Sequence, residues 1–390
     1  MLNNNAVQNI LNSAYLQIVG NAPVGGKQLD LSSFVDVGND PTLPSFKEQF
    51  TKALVIGAVK NFFTDTSYKK EYNDPFFENS EEYGAITQMI NIEVPDVQAS
   101  HAWKEFENGT TVGSYEVFMP VVHTQYYGKT NSWELPITIT YEQWNDAVKD
   151  YNGLSTLVSH VMMIVENKIY QHLEDCNGMN RNNFIAEKFA YAATPEAKGI
   201  HVINLCEVAG KQLKKSMTVD DFRNDAEALR IATAKISLFT KYLRKQSTQF
   251  NTAEYVRFTP SDRLVVQVLS EFESDVNRVL MSDTFHNDMV ALPKYESIPY
   301  WQDSEGLTFD NVSSINVKTG TGTVISKKGI VAFICDKWAI LHTIKKQRVA
   351  SRNFDPEALD MYFYQFRDMY ANNLTMNAVV FYLEDYTYTA

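Results

Sequence analysis

Apolar residues recur at Leu154, Leu157, Val158, Val161, Met162, Val165, Ile169 and Leu173, the i, i+3, i+4, i+7 spacing of one helix face. Ser155, Ser159, Glu166, Asn167 and Gln171 fall opposite. The pattern predicts an amphipathic helix over 154–176 that lies on a core and keeps one side wet. Leu157, Val161, Val165 and Ile169 are its expected core stripe. Asn152-Gly153 marks the start, and Asn177-Gly178 reads as the C-cap. At its rise per residue the helix would run about 35 Å, enough to be the spine of a domain.

The period changes from helical to alternating just before this helix. Trp133, Leu135, Ile137 and Ile139 alternate with Glu134, Pro136, Thr138 and Thr140, which predicts a half-buried strand. Residues 96–140 form a long, polar, aromatic-studded stretch too open to bury itself. Within it Trp103-Lys104-Glu105-Phe106-Glu107 leads to a turn with Gly109 and Gly113, and Tyr115, Val117, Met119 and Val121 return as an alternating run. Further upstream, residues 1–20 read as a short helix and 21–44 as a loop. Ser45-x-x-Glu48 is a capping-box pattern opening a second helix. Residues 64–95 read as polar and irregular.

Beyond the long helix, residues 179–217 are mixed, with a short strand or buried turn around Val202–Val208. Thr218-x-x-Asp221 opens one helix through 245, and 254–258 reads as a strand. Thr259-Pro260 is a cap and first-turn proline that predicts a helix through Leu264, Val268, Leu269 and Phe272. Residues 289–301 read as extended, and 302–329, rich in Gly, Ser, Thr and Asn, as a surface loop. Ile330–Cys335 and Trp338–Ile344 read as buried strands and Ala378–Leu383 as a last one. The Tyr- and Phe-rich run at 356–370 fits strand and helix equally. The mixture is α+β.

Composition narrows the function more than the fold. The 390 residues carry 44% hydrophobic content, ample for a sizeable core. A net charge of −12 argues against tight phosphate-backbone binding. Cys176, Cys206 and Cys335 are far apart and odd in number, so reduced thiols are the expectation. Met1–Asn5 lacks a basic leader and no apolar run reaches membrane-spanning length, which predicts a cytoplasmic product with no membrane partner. Aromatics at 13% fit strands and large self-association surfaces.

Motifs that would signal chemistry fail on inspection. The seven histidines are scattered, without a His-Glu-x-x-His helix to hold zinc. Gly25-Gly26-Lys27-Gln28 lacks both the first glycine and the hydroxyl of a phosphate-binding loop. Gly320-x-Gly322 has no third glycine and no following helix. There is no Gly-x-Ser-x-Gly elbow. No catalytic residue, cofactor site or metal site is therefore expected, and the reading moves toward a structural protein.

The order of parts is more specific than any motif. It runs from an N-terminal arm through the hairpin with Ala102-Trp103-Lys104-Glu105, strand Pro136–Tyr141 and the long helix ending in Cys176-Asn177-Gly178. It continues with the capped helix at 218–245, Glu254–Asp262, the loop at 302–329, Ile330–Ile344, Lys345–Arg352, the Tyr-rich run and Asn377–Phe381. This succession resembles the major capsid proteins of tailed bacteriophages, the Hong Kong 97-type fold, and most those of small short-tailed podoviruses. The resemblance implies an N-arm at 1–75, an E-loop at 97–128, a P domain from 129–194 and 345–390, and an A domain at 195–344. It implies self-assembly into pentamers and hexamers of an icosahedral head around double-stranded DNA. Trp103, Lys104, Glu105, Phe106 and Glu107 would then contact a neighbouring subunit, since buried aromatics dominate interface energy.

Residues 1–45 are too short and irregular for a built-in coiled-coil scaffold, so a separate scaffolding protein is expected beside the portal protein. The location implied is the virion, with assembly in the bacterial host cytoplasm. Lys104, Lys129 and Asn377 sit where some relatives form covalent cross-links, but nothing in the sequence shows that they react. Two rival readings are an encapsulin-type nanocompartment shell and a cytosolic enzyme with a dispersed active site.

Overall fold

The computed structural model describes residues 77–80, 87–93, 119–128, 131–140, 151–280, 294–302, 305–320, 322–352 and 358–389. The elements are β1 (Phe77–Ser80), β2 (Thr87–Glu93), β3 (Val121–Tyr127), β4 (Asn131–Thr140), α1 (Tyr151–Ala192), β5 (Val202–Asn204), α2 (Leu205–Leu213), α3 (Val219–Asn224) and α4 (Ala226–Tyr242). Then follow β6 (Leu264–Leu269), α5 (Ser270–Leu280), β7 (Glu296–Ile298), α6 (Phe309–Val312), β8 (Ile315–Lys318), β9 (Val324–Lys327), β10 (Ile330–Asp336), β11 (Ile340–Arg352), β12 (Ala358–Asn372) and β13 (Ala378–Tyr382). The expected helices at 1–20 and after Ser45 lie outside the described residues.

Helix α1 has 42 residues, so the expected stop at Asn177-Gly178 is wrong. The side chains that follow explain why. Asn177, Asn180, Arg181 and Asn182 are buried, and Phe184, Ile185, Ala186 and Phe189 continue the apolar face. Tertiary burial outweighs a local cap signal. Gly178 serves no close approach, because a Cβ there would only meet the Arg181 guanidinium at 3.7 Å. Gly178→Ala is expected to raise stability by about 1 kcal/mol, read from urea unfolding curves; a loss would show that the glycine is needed.

The chain divides into two compact units. The first combines the described parts of Met1–Glu82, Thr130–Arg181 and His342–Tyr370. Its sheet has the order β1-β11-β12-β4. The ambiguous run at 356–370 is a strand, because the alternation of Tyr364, Phe366 and Asp368 fits the register against β4. Trp133 of β4 stacks on its cross-strand partner Phe366 at 4.0 Å. Val165, Ile169 and Leu173 of α1 bury against Tyr364 and Phe366, with Trp133, Leu135 and Ile137 alongside. Each such side chain contributes roughly 1.5–3 kcal/mol on burial. A polar knot interrupts the apolar layer: Asp368 accepts from the Trp133 indole at 2.7 Å and from the Tyr370 hydroxyl at 3.3 Å, with His342 3.6 Å away.

The second unit combines the described parts of Tyr83–Lys129, Asn182–Leu341 and Ala371–Ala390. Residues Ala371–Ala390 belong to this second unit. The cause is β13, which pairs with β10 and β5 in a five-stranded sheet ordered β5-β13-β10-β6-β7. Central strand β10 is buried along its whole length, as its unbroken apolar run requires. Phe239 of α4 meets Phe381 of β13 at 5.5 Å, and Phe184 of α1 meets Phe333 of β10 at 5.7 Å.

Four further expectations are corrected in this unit. Leu264–Leu269 is strand β6 rather than helix, since its valine-rich run fills a slot beside β10, and helix α5 begins only at Ser270. Residues 254–258 make a single bridge, Ser247 to Arg257, instead of a strand. The helix expected over 218–245 breaks at Asp225, which ends α3 and caps α4 by accepting from the Glu227 and Ala228 amides. The loop at 302–329 folds into α6 and the β8–β9 hairpin, with Phe309, Val312 and Ile315 buried. Its terminal Gly329 has φ +78°, and a Cβ would lie 2.2 Å from the Leu383 carbonyl oxygen. Only glycine permits that approach. Cys176, Cys206 and Cys335 are not joined in disulfides.

Candidate self-assembly surface

Among the described residues, strands β2 and β3 pair only with each other, as a two-stranded antiparallel ribbon. The pleat sorts their side chains onto two faces. Met89, Asn91 and His123 fall on one face, which the second unit holds. His123 stacks on Tyr255 at 4.6 Å and lies 3.5 Å from Glu93, and Asn373 reaches the Met89 sulfur at 3.2 Å. Burial pushes the nearby Tyr127 phenol up to about 12, and its hydroxyl donates to Gln125 at 2.9 Å.

The other face carries Gln88, Ile90 and Ile92 opposite Tyr126, Thr124 and Val122. Ile90 and Ile92 are 59% exposed, Val122 55% and Tyr126 66%. Met119 and Val121, at the start of β3, are exposed as well. Four large apolar side chains on one solvent-facing ribbon are what a monomer avoids and an interface uses. The backbone edges of a lone ribbon also offer pairing to another chain.

The expected contact residues Trp103, Lys104, Glu105, Phe106 and Glu107 lie outside the described residues. The described end of the stretch they belong to, 119–128, contains β3. Of the expected helix core, Val165 and Ile169 are buried in the first unit; the side chains of Leu157 and Val161 lie outside the described set. Ile90, Ile92, Val122 and Tyr126 were missed. The signal was there, an x-Ile-x-Ile alternation in Met89–Glu93, within residues read as irregular. Among the described residues no cluster of three or more His, Cys, Asp or Glu could hold a metal ion. No described helix is long and apolar enough to cross a membrane.

The sequence matches the family model described as Phi29-like phage major capsid protein over residues 5–382. No curated protein matches it. In fold it is similar to a chain from the capsid structure of Staphylococcus phage Andhra, with a TM-score of 0.50 and 11% identity over 80% of this chain and 84% of that one. A chain from the capsid structure of Cyanophage P-SCSP1u covers 81% of this chain and 89% of its own at 10% identity, with a TM-score of 0.44. The Andhra likeness speaks to fold alone.

Proposed function

The chain belongs to the Phi29-like phage major capsid protein family, and on that premise we propose that it builds the pentamers and hexamers of an icosahedral head around double-stranded DNA. As a member it is a structural capsid protein of the virion, with the Hong Kong 97-type α+β fold, and copies of it assemble into a shell. The observation that supports the finer reading is the ribbon, whose apolar outer face calls for a protein partner.

In this reading residues 1–75 are the N-arm and 97–128 the E-loop, with Trp103–Glu107 touching a neighbouring copy. Residues 129–194 and 345–390 serve as P domain and 195–344 as A domain. The role is non-catalytic, as the absence of any nucleophile, metal or phosphate motif in the sequence supports. A net charge of −12 suits a container, since a wall that gripped DNA would impede packaging and release. A separate scaffolding protein and a portal protein are the assembly partners in the host cytoplasm.

The test is size-exclusion chromatography with negative-stain microscopy of the purified protein, alone and co-expressed with a scaffolding protein. Shells, tubes or capsomer rings are the expected result. A stable monomer in both trials would overturn the reading.

A further inference from the structure

The second unit buries two bases against each other. Lys188, near the end of α1, and His201, just before β5, are both buried. The Lys188 Nζ lies 3.3 Å from His201 Nδ1 and donates to the Phe250 carbonyl oxygen at 3.2 Å. One amine thus braces three stretches of chain: α1, the entry to β5 and the loop around Phe250. His201 Nε2 meets the Lys198 carbonyl oxygen at 2.8 Å and donates to it, so Nδ1 accepts from Lys188. The other titratable groups facing the pair are the Cys335 thiol of β10, toward Lys188, and Tyr191, edge-on to His201 at 4.9 Å. None of these is a carboxylate.

The imidazole is also the buried anchor of an exposed segment. Residues 193–200 join α1 to β5, and all but Ala197 are exposed. Besides the His201–Lys198 bond, the Ile200 amide donates to the Gln249 carbonyl at 2.8 Å and Lys198 pairs with Glu254 at 3.1 Å. That ion pair lies in solvent and adds little. A segment with few buried contacts and exposed backbone bonds opens locally before the fold does. Its two ends stay fixed. The Ala193 amide bonds the Phe189 carbonyl, and the Val380 amide of β13 bonds the His201 carbonyl.

We propose that Lys188 and His201 form an acid-operated latch: a second proton on the pair releases residues 193–200 while the five-stranded sheet stays closed. With one proton between them the two nitrogens share a hydrogen bond. With two, like charges face each other in a site without an anion. Burial and then the Lys188 charge hold His201 down to about 4 in the fold, from an ordinary value of 6.5. Opening therefore takes up a proton, and it is favoured as pH falls from 6.5 toward 4. The latch is a property of the subunit itself and does not rest on the shell reading.

Amide hydrogen exchange of the full chain near pH 7.5 and near pH 5, corrected for the intrinsic pH dependence of exchange, tests it. A tenfold gain per unit below 6.5 predicts about thirtyfold more opening over residues 193–200 at the lower pH, with no change in β10. His201→Gln keeps one acceptor and one donor but cannot take the proton, and should abolish the response. Lys188→Met removes the repelling charge and should shrink it. An undiminished response in either variant would overturn the latch, as would a rise in exchange shared by β10. Exchange at the imidazole C2 carbon, read by mass spectrometry on the wild type, needs no variant to fold. A His201 midpoint below about 5 is expected, and one near the ordinary 6.5 would overturn the proposal.

Discussion

Replacing Lys188 by methionine is expected to stabilise the protein by about 2–4 kcal/mol near pH 6 and to lose that advantage near pH 9. Lys188 lies in the second unit and is wholly buried. Its ammonium reaches only neutral partners in its two hydrogen bonds, His201 Nδ1 at 3.3 Å and the Phe250 carbonyl oxygen at 3.2 Å. His201 Nε2 lies 2.8 Å from the Lys198 carbonyl oxygen and donates to it, which leaves Nδ1 as the acceptor for Lys188. Burial holds Lys188 down to about 7, from an ordinary value of 10.5. Burial and then the Lys188 charge hold His201 down to about 4.

The direction follows from which state binds the proton. Below about pH 7 the amine is charged in both the folded and the unfolded chain, and the fold bears the full cost of the buried charge. The gap from 10.5 to about 7 corresponds to about 5 kcal/mol, at roughly 1.4 kcal/mol for each factor of ten. Between those values only the unfolded chain holds the proton, so the cost shrinks and stability rises with pH. Methionine removes the charge but leaves His201 Nδ1 without its donor, at about 1–3 kcal/mol. The Phe250 carbonyl keeps its bond from the Ala378 amide at 3.1 Å. Urea unfolding of wild type and variant under non-assembling conditions at pH 6 and 9 measures the difference. A difference that does not change with pH would show that the folded chain keeps the Lys188 proton through pH 9, so that burial does not hold its titration down.

Patterns were legible where one face of an element is buried. Strand β4 alternates as its sequence says, with Trp133, Leu135 and Ile137 inward. Strand β10 reads as buried because every residue is apolar up to Asp336. Thr218 caps α3 through the Asp221 amide as its spacing indicates. The failures share a cause, a local signal overridden by packing at a distance. Asn177-Gly178 offered a stop that the buried Phe184–Phe189 face outweighs. Leu264–Leu269 satisfies a helical spacing and a strand equally, and the pairing with β10, some 65 residues on, decides. The ribbon face was illegible for the opposite reason. Its isoleucines point to solvent in the isolated chain, so no core argument selects them.

Ile90→Asp with Ile92→Asp is expected to abolish assembly while leaving the subunit's stability within about 0.5 kcal/mol, the usual range for surface substitutions. The second clause follows from exposure, since neither isoleucine supports the packed face of the ribbon. The first follows from burial at the proposed contact. Two isoleucines lost are worth about 3–6 kcal/mol, or roughly a hundred- to ten-thousand-fold in each contact, before the cost of burying two carboxylates. A shell repeats that loss at every subunit. Ile90→Val with Ile92→Val keeps the face apolar and should still assemble. Particles formed by the aspartate variant at wild-type yield would remove the ribbon from the interface.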